Sequence, residues 1–303
     1  MTKLKVTVPA TSANLGPGFD SLGMALAHYD EYELETTSSG VEIQIAGEGA
    51  KTAAKDENNL IFRSIQLVFD SVGEKLPGIK LNCRNSIPHG RGMGSSGAAV
   101  AGGVMLAAGL LPNKNFTEQQ LLEFATRLEG HPDNVAPALF GGLTIAWVDE
   151  SGPHHKKLTV HRGISPLVLV APNEMSTKLA RSLQPESVPH TDAVFNVSRS
   201  ALLVAALTQS PELMMSATED RLHQNYRSSA MPETSKLISS LRELGHPAVV
   251  SGAGPSVLVL EGDPQNRLEA MDFVKKNFPA WHALALAVDF KGASLEGQSG
   301  SGS

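Results

Sequence analysis

The residues Pro88-His89-Gly90-Arg91-Gly92-Met93-Gly94-Ser95-Ser96-Gly97 form a glycine-rich stretch that runs into Ala98-Ala99-Val100-Ala101. Glycines let a backbone turn sharply and approach a ligand, and free amides at a helix start, with the positive end of the helix dipole, suit an anion. Phosphate is the natural occupant. Ser95 and Ser96 add hydroxyls that can bond phosphate oxygens or a hydrated Mg²⁺. The stretch lacks the Gly-Lys-Ser/Thr ending of a Walker loop and the third glycine of a dinucleotide fingerprint. Taken alone, it also suits a tight strand-to-helix turn that needs small residues for packing.

Two further loops bear on the same chemistry. Pro9-Ala10-Thr11-Ser12-Ala13-Asn14-Leu15-Gly16-Pro17-Gly18-Phe19-Asp20 brings Asn14 and Asp20 into a segment too rich in Gly and Pro for a helix. Ser251-Gly252-Ala253-Gly254-Pro255-Ser256 links two expected strands and can wrap an anion. Each could be only a turn, but together the loops fit one composite site between two domains.

Elements must hold these loops in place. Alternation of apolar and charged residues predicts strands over 29–36 and 41–45, an amphipathic helix over 59–72 and a strand over 78–83. Thr117 and Gln120 form a capping box for a helix over 118–128, which Gly130 and Pro132 end. A strand over 142–148 precedes the turn-rich 149–162, where the domain boundary is expected. Beyond it the pattern predicts strands over 167–171, 248–251, 257–261 and 283–289, and helices over 193–207, 233–244 and 265–277. Strand-helix-strand units of this kind suggest a ferredoxin-like α+β sandwich. The division expected is 1–155 and 156–291, with a Gly/Ser-rich tail over 292–303 that carries no periodicity and reads as flexible.

Composition narrows the function. The chain has 303 residues, 41% hydrophobic, a net charge of −6 and a single cysteine, Cys83. The negative balance and the lack of Lys/Arg runs argue against a general nucleic-acid binder. One cysteine permits no intramolecular disulfide and no Cys-rich metal site, which favours a reducing, cytoplasmic setting. Residues 1–9 read as a first strand rather than a signal peptide. The uncharged run 92–113 opens on glycines and serines, which leaves too few apolar residues for a bilayer; a buried helix and no membrane association are expected.

In order and approximate spacing the three loops resemble the motifs of the GHMP kinase superfamily. Finer detail is similar to its homoserine kinases: Leu22-Gly23-Met24-Ala25-Leu26 after the first loop, Glu129-Gly130-His131-Pro132-Asp133-Asn134-Val135-Ala136-Pro137, Asp192-Ala193-Val194-Phe195-Asn196, and Asp220-Arg221-Leu222-His223-Gln224-Asn225-Tyr226-Arg227. The resemblance covers about residues 6–289. It implies a two-domain GHMP kinase fold, with an N-terminal α/β nucleotide-binding domain and a C-terminal ferredoxin-like α/β sandwich. The activity implied is transfer of the γ-phosphoryl of MgATP to the side-chain hydroxyl of L-homoserine, which feeds threonine synthesis; a homodimer is a family expectation. Rivals are a kinase for another small alcohol, such as shikimate or mevalonate, and a nucleotide-binding protein without catalysis.

The resemblance assigns roles. Pro88, Gly90, Arg91, Gly92, Gly94, Ser95, Ser96 and Gly97 wrap the ATP phosphates, and Asn59 lies near the nucleoside. Arg91 either adds charge there or is an exposed loop cation. Ser96 helps bind Mg²⁺. Relatives supply a second ligand, a Glu, at the place of Ala125; Glu129 lies one turn further on the same helical face and is the expected ligand, with Glu123, nearly opposite, as fallback. Arg181 and Arg227 resemble carboxylate-binding arginines, Asp20 suits an ammonium, and Asn14, Asn134, His131, Gly252 and Gly254 complete the acceptor site. Asp133, with Asn134 and Arg181, is the catalytic candidate, either as a base or through hydrogen bonding alone. His131 reads as a structural cap more readily than as a proton carrier.

Overall fold

The computed structural model describes residues 2–299. The chain opens with two long antiparallel strands, β1 (Thr2–Asn14) and β2 (Gly18–Thr37), whose register shifts at Pro9/Ala10 and Ala13/Asn14. The first loop expected from sequence is therefore mostly strand: only the residues between Asn14 and Gly18 turn, and Asn14, Leu15 and Asp20 take positive φ. β3 (Val41–Gly47) pairs in parallel with β4 (Gly78–Asn85), and β4 pairs with β2. Between them lies α1 (Leu60–Ser71), capped by the Asn59 side chain, which accepts from the amides of Ile61 and Phe62.

α2 (Ser95–Leu110) is the central helix, apolar on nearly every face. It lies close to its neighbours because it can: a Cβ on Gly102 would sit 2.4 Å from the Tyr32 ring, and one on Gly103 would sit 2.5 Å from Ser64. The uncharged run is thus a buried helix, and no helix among the described residues is long and apolar enough to cross a membrane. Val100, Ala101, Val104, Leu106 and Ala107 are fully buried among Val6, Val8, Ile65 and Val68, and each large side chain so buried contributes about 1.5–3 kcal/mol.

α3 (Glu118–Glu129) begins on the expected Thr117–Gln120 capping box and ends at Gly130 in the left-handed region. Pro132 does not stop the chain there. It opens α4 (Pro132–Phe140), because proline tolerates the first helical position, where its missing N–H is not needed. Asp133 and Asn134 stand on the first turn of that helix rather than on a loop. β5 (Leu143–Asp149) and β6 (Gly152–Leu158) form a hairpin attached to β2. β6 runs across the expected 155/156 division, where the turn-forming residues hide a pairing set by its neighbour β5.

The second unit is built on β7 (Ser165–Val170). The chain then passes through α5 (Thr177–Ser182), α6 (His190–Thr208), α7 (Met214–Ala217), α8 (Gln224–Arg227) and α9 (Pro232–Glu243) to β8 (Ala248–Val250), β9 (Val257–Glu261), α10 (Pro264–Asn277) and β10 (His282–Ala285). The sheet order is β10-β7-β9-β8, all antiparallel. This is the ferredoxin-like arrangement, with α5–α8 inserted after its first strand. Leu237 and Leu241 of α9 and Ala270 and Val274 of α10 cover one sheet face, while Leu203 and Leu207 of α6 join the larger core with Val168 and Leu258 from the other.

The tail departs from the expectation of flexibility. β11 (Ser294–Ser299) pairs antiparallel with β1, from Thr7↔Ser294 to Thr2↔Ser299. Main-chain pairing on an open edge demands little of the side chains, so composition concealed it; Leu295 nonetheless packs near Gly109 of α2. Residues 300–303 of the expected tail lie outside the described residues.

Candidate functional site

A polar cavity opens between the two units. The phosphate-loop candidates Gly90 to Ser96 line one side, Glu129, His131, Asp133 and Asn134 the floor, and Asn14, Asp20, Arg181, Arg227, Gly252 and Gly254 the far side. Of the residues expected at the site, Asn59, Pro88 and Gly97 alone do not line it. Gly97 is buried, and its Cα faces Asn134 so closely that a Cβ would sit 3.2 Å from the Cβ of that residue. A second chamber, lined by Asn59, Asp30, Tyr32, Cys83, Asn85 and His89 among others, meets the first at Gly90, Ser95 and Ser96. The two chambers share the glycine-rich loop as their common wall. Asn59 spends its side chain on structure: its oxygen caps α1 and its Nδ2 donates to the Ala54 carbonyl at 2.8 Å.

Glycine is required in this wall. Gly90, Gly92 and Gly94 all have positive φ. A Cβ on Gly92 would lie 2.1 Å from the Ser251 carbonyl oxygen, and one on Gly94 would lie 1.9 Å from Thr11 Oγ1. The loop is docked on both flanking loops: Ser251 Oγ donates to the Gly92 carbonyl at 2.7 Å, and the Thr11 amide donates to the Met93 carbonyl at 3.1 Å. Gly94 precedes α2 as a left-handed cap, and no side chain caps the helix. Its first amides are thereby left for an anion at the positive end of a 16-residue helix.

Ser96 and Glu129 converge. Ser96 Oγ donates to Glu129 Oε2 at 2.7 Å. Burial pushes the Glu129 carboxyl above its ordinary value, and the Ser96 hydrogen bond offsets only part of that. Glu123 points elsewhere and accepts from Gln119 Nε2 at 3.0 Å, and Ala125 is buried in the core. Two hard oxygens side by side, open to the glycine-rich loop, fit Mg²⁺, which takes one or two protein oxygens and completes its shell with phosphates and water. No cluster of three or more His, Cys, Asp or Glu suited to a metal exists among the described residues, which such a half-protein site does not need.

Around the floor, His131 Nδ1 contacts Asp133 Oδ1. Burial opposes charge on His131, but the hydrogen bond and charge of Asp133 outweigh it and lift the imidazole above its usual range. Asp133 is buried at 2% exposure. Asn134 Oδ1 accepts from Thr11 Oγ1 at 2.8 Å.

The far side carries the cations. Arg227, 2% exposed, stands 5.2 Å from the Phe19 ring centre and donates to the Gly252 carbonyl at 3.4 Å. With the Gln184 amide oxygen turned toward it, Nε also donates there at 2.7 Å. Burial draws its guanidinium pKa down. Arg181 forms a two-point ion pair with Asp20. Asn14, expected to orient a ligand, clamps loops: its Nδ2 donates to the Gly252 carbonyl and its Oδ1 accepts from the Asp20 amide. Arg91 is neither free nor solvent-bathed. It lies 3.5 Å from Glu174 and 3.8 Å from Glu48, and donates through Nε to the Ala171 carbonyl.

Comparisons with known proteins identify the family. The family of GHMP kinases N terminal domains matches residues 59–142, and that of GHMP kinases C terminal domains matches residues 198–280. A homoserine kinase of Leifsonia xyli is 63% identical over 96% of this chain and 91% of its own length. The chain belongs to the homoserine kinase family of the GHMP kinases. A homoserine kinase of Clavibacter michiganensis is 59% identical over 97% of this chain and 94% of its own. Among solved structures, the homoserine kinase of Cytophaga hutchinsonii superposes with a TM-score of 0.86 at 28% identity, covering 97% of both chains. The mevalonate kinase of L. major, at 17% identity and a TM-score of 0.67 over 94% of this chain and 95% of that one, shares the fold.

Sequence reasoning missed several residues that this homoserine kinase family member brings to the cavity. Met175, Ser176 and Thr177 arrive on the segment leading into α5, held by the Met175 amide donating to the Gly90 carbonyl at 2.8 Å. That six-residue helix is too short for a periodic signal; the Ser176 cap was its one readable mark. Thr11, Ser12 and Ser251 lay inside quoted motifs but carried no role.

Proposed function

We propose that this chain is an ATP-dependent homoserine kinase, which transfers the γ-phosphoryl of MgATP to the hydroxyl of L-homoserine to give O-phospho-L-homoserine, a step toward threonine. The observation that carries the reading is a juxtaposition within one cavity. Asp20 and the cations Arg181 and Arg227 lie across from the Ser96–Glu129 pair and the start of α2. A zwitterion finds a partner for each charge, and its side chain reaches toward the phosphate loop.

Phosphoryl transfer asks little covalent help of the protein, so positioning and charge neutralisation carry the rate. The amides at the start of α2 and the Gly90–Gly94 turn hold the phosphates, with the nucleoside in the second chamber. Ser96 and Glu129 would hold Mg²⁺, which would neutralise part of the phosphate charge. Arg227, held rigid by burial, takes the substrate carboxylate, and Asp20 takes the ammonium. Asn134 donates to the acceptor hydroxyl. Asp133, tied to His131, either accepts the hydroxyl proton or serves the hydrogen-bond network.

The reading includes a cytoplasmic setting and a homodimer, which light scattering tests. ADP release over L-homoserine, shikimate, mevalonate and galactose tests the function itself. A clear preference for L-homoserine is expected; equal or absent activity on all four overturns the assignment. Mevalonate lacks the ammonium that Asp20 would meet, which is why it ranks below homoserine.

A further inference from the structure

We infer that Thr11 is a positioning residue: its hydroxyl locks the Asn134 side-chain amide so that Nδ2 faces the cavity as a donor. The inference rests on the reading of this cavity as the phosphoryl-transfer site. Thr11 stands on β1 and Asn134 on the first turn of α4, 123 residues apart. The hydroxyl donates to Asn134 Oδ1 at 2.8 Å. The Thr11 hydroxyl can donate or accept, but it is fully buried and Asn134 Oδ1 is the one acceptor it reaches among the described residues. Turning the amide over would strand its O–H, so engaging the oxygen commits the nitrogen to the other direction. Asn134 lines the cavity, and its Nδ2 has no hydrogen-bond partner among the described residues.

The Thr11 hydroxyl is itself well held. Thr11 is fully buried, its amide donates to the Met93 carbonyl, and its Oγ1 packs against the Cα of Gly94 with no room for a Cβ between them. The three residues form a chain of fixed contacts from phosphate loop to Thr11 to Asn134.

The consequence concerns the direction of the proton. Presented as a donor, Asn134 bonds a lone pair of the acceptor hydroxyl and cannot take its proton. The O–H bond must then point away from Asn134, toward another acceptor or the phosphoryl oxygens, and a second lone pair is left for attack on phosphorus. With the amide turned over, Oδ1 would capture the O–H and hold the substrate in a non-productive orientation.

The test compares Thr11→Val, which removes the hydroxyl at similar size, with Thr11→Ser, which keeps it. Thr11→Val is expected to lower kcat with L-homoserine roughly tenfold, in line with a lost hydrogen bond that sets a reacting group, while KM for MgATP moves less than about twofold. Thr11→Ser restores most of kcat. On an Asn134→Ala background Thr11→Val costs nothing further, because the group it positions is gone. If Thr11→Val collides with Gly94 and fails to fold, Thr11→Ala replaces it with the same expected outcomes. The side-chain NH₂ resonance of Asn134, identified by its loss in Asn134→Ala, gives a readout that needs no substrate: it shifts in the hydroxyl-free variant and returns in Thr11→Ser. An unmoved resonance, an equal loss on the Asn134→Ala background, or a loss confined to KM for MgATP overturns the lock. Absence of ADP release by the parent with L-homoserine would instead overturn the functional reading, and the resonance would still decide the lock.

Discussion

Asp20 and Arg181, 161 residues apart in the chain, meet side by side, with Arg181 Nη1 3.1 Å from Asp20 Oδ2 and Nη2 3.0 Å from Oδ1. The pair joins the start of β2 to α5 across the cavity. Both partners are about two-fifths exposed, at 41% and 38%. A zwitterionic substrate that uses both must part them, so their mutual attraction is a cost of binding that the two new charge contacts have to exceed.

Asp20→Asn should therefore separate affinity from stability. KM for L-homoserine is expected to rise tenfold or more, since a charge-assisted hydrogen bond to the ammonium is lost. Stability should change by less than about 1 kcal/mol, because exposed ion pairs contribute little. Steady-state kinetics and urea unfolding of the same preparation check both halves.

Glu129→Gln should lower kcat/KM for MgATP by about a hundredfold or more, as the removal of a metal ligand does, whereas Glu123→Gln stays within about twofold of the parent. The raised pKa of Glu129 sets the pH dependence. The carboxylate protonates at a higher pH than an ordinary glutamate, so Mg²⁺ affinity falls as pH falls through that raised value. Mg²⁺ titrations at several pH values, with both variants beside the parent, distinguish the two glutamates.

Gly92→Ala is expected to be worse than Gly90→Ala. Both positions have positive φ, which costs an alanine about 1–2 kcal/mol. At Gly90 the added methyl would meet the Glu174 side chain at 3.3 Å, which can move, whereas at Gly92 it would meet the Ser251 carbonyl at 2.1 Å, which cannot without parting the loops. Gly92→Ala should raise KM for MgATP at least tenfold and lower the unfolding midpoint, with smaller effects for Gly90→Ala.

Cys83 predicts a falling stability at alkaline pH. Burial, and then the charge of Asp30, push its thiol from 9.0 up to about 12. The unfolded chain loses this proton near its ordinary value while the folded chain keeps it. The contribution is fully present below that ordinary value and is lost as pH rises toward the folded one, at about 1.4 kcal/mol per pH unit. Cys83→Ala should flatten this slope in urea unfolding series run across that range. The native thiol, 3% exposed, should also resist iodoacetamide at about pH 8 until the chain is unfolded.

How far these residues could be read from the chain depended on how local the physics was. The Thr117–Gln120 capping box and the amphipathic α1 follow from neighbours a few positions apart, and both stand as expected. Glu129 was separable from Glu123 by helical angle once the resemblance had marked the place of Ala125, and of the two Glu129 meets Ser96. Where two local signals conflicted, reading failed: Gly130-His131-Pro132 ends one helix and starts the next, and only the start was missed. Contacts over long separations left no mark at all. The Met175–Gly90 bond, the Thr11–Asn134 bond and the β1–β11 pairing each depend on where the fold brings distant backbone, which neither composition nor periodicity encodes.

The return of β11 to β1 also has a bearing on synthesis. A chain made from its N-terminus displays β1 early, yet the row of main-chain donors and acceptors on that edge is not covered until residues 294–299 have emerged. The four-stranded unit, complete at β10, can close while its larger neighbour still lacks an edge strand. Until then the open side of β1 is a place where a second nascent chain could pair instead. Residues 294–299 thus act as a built-in guard of β1.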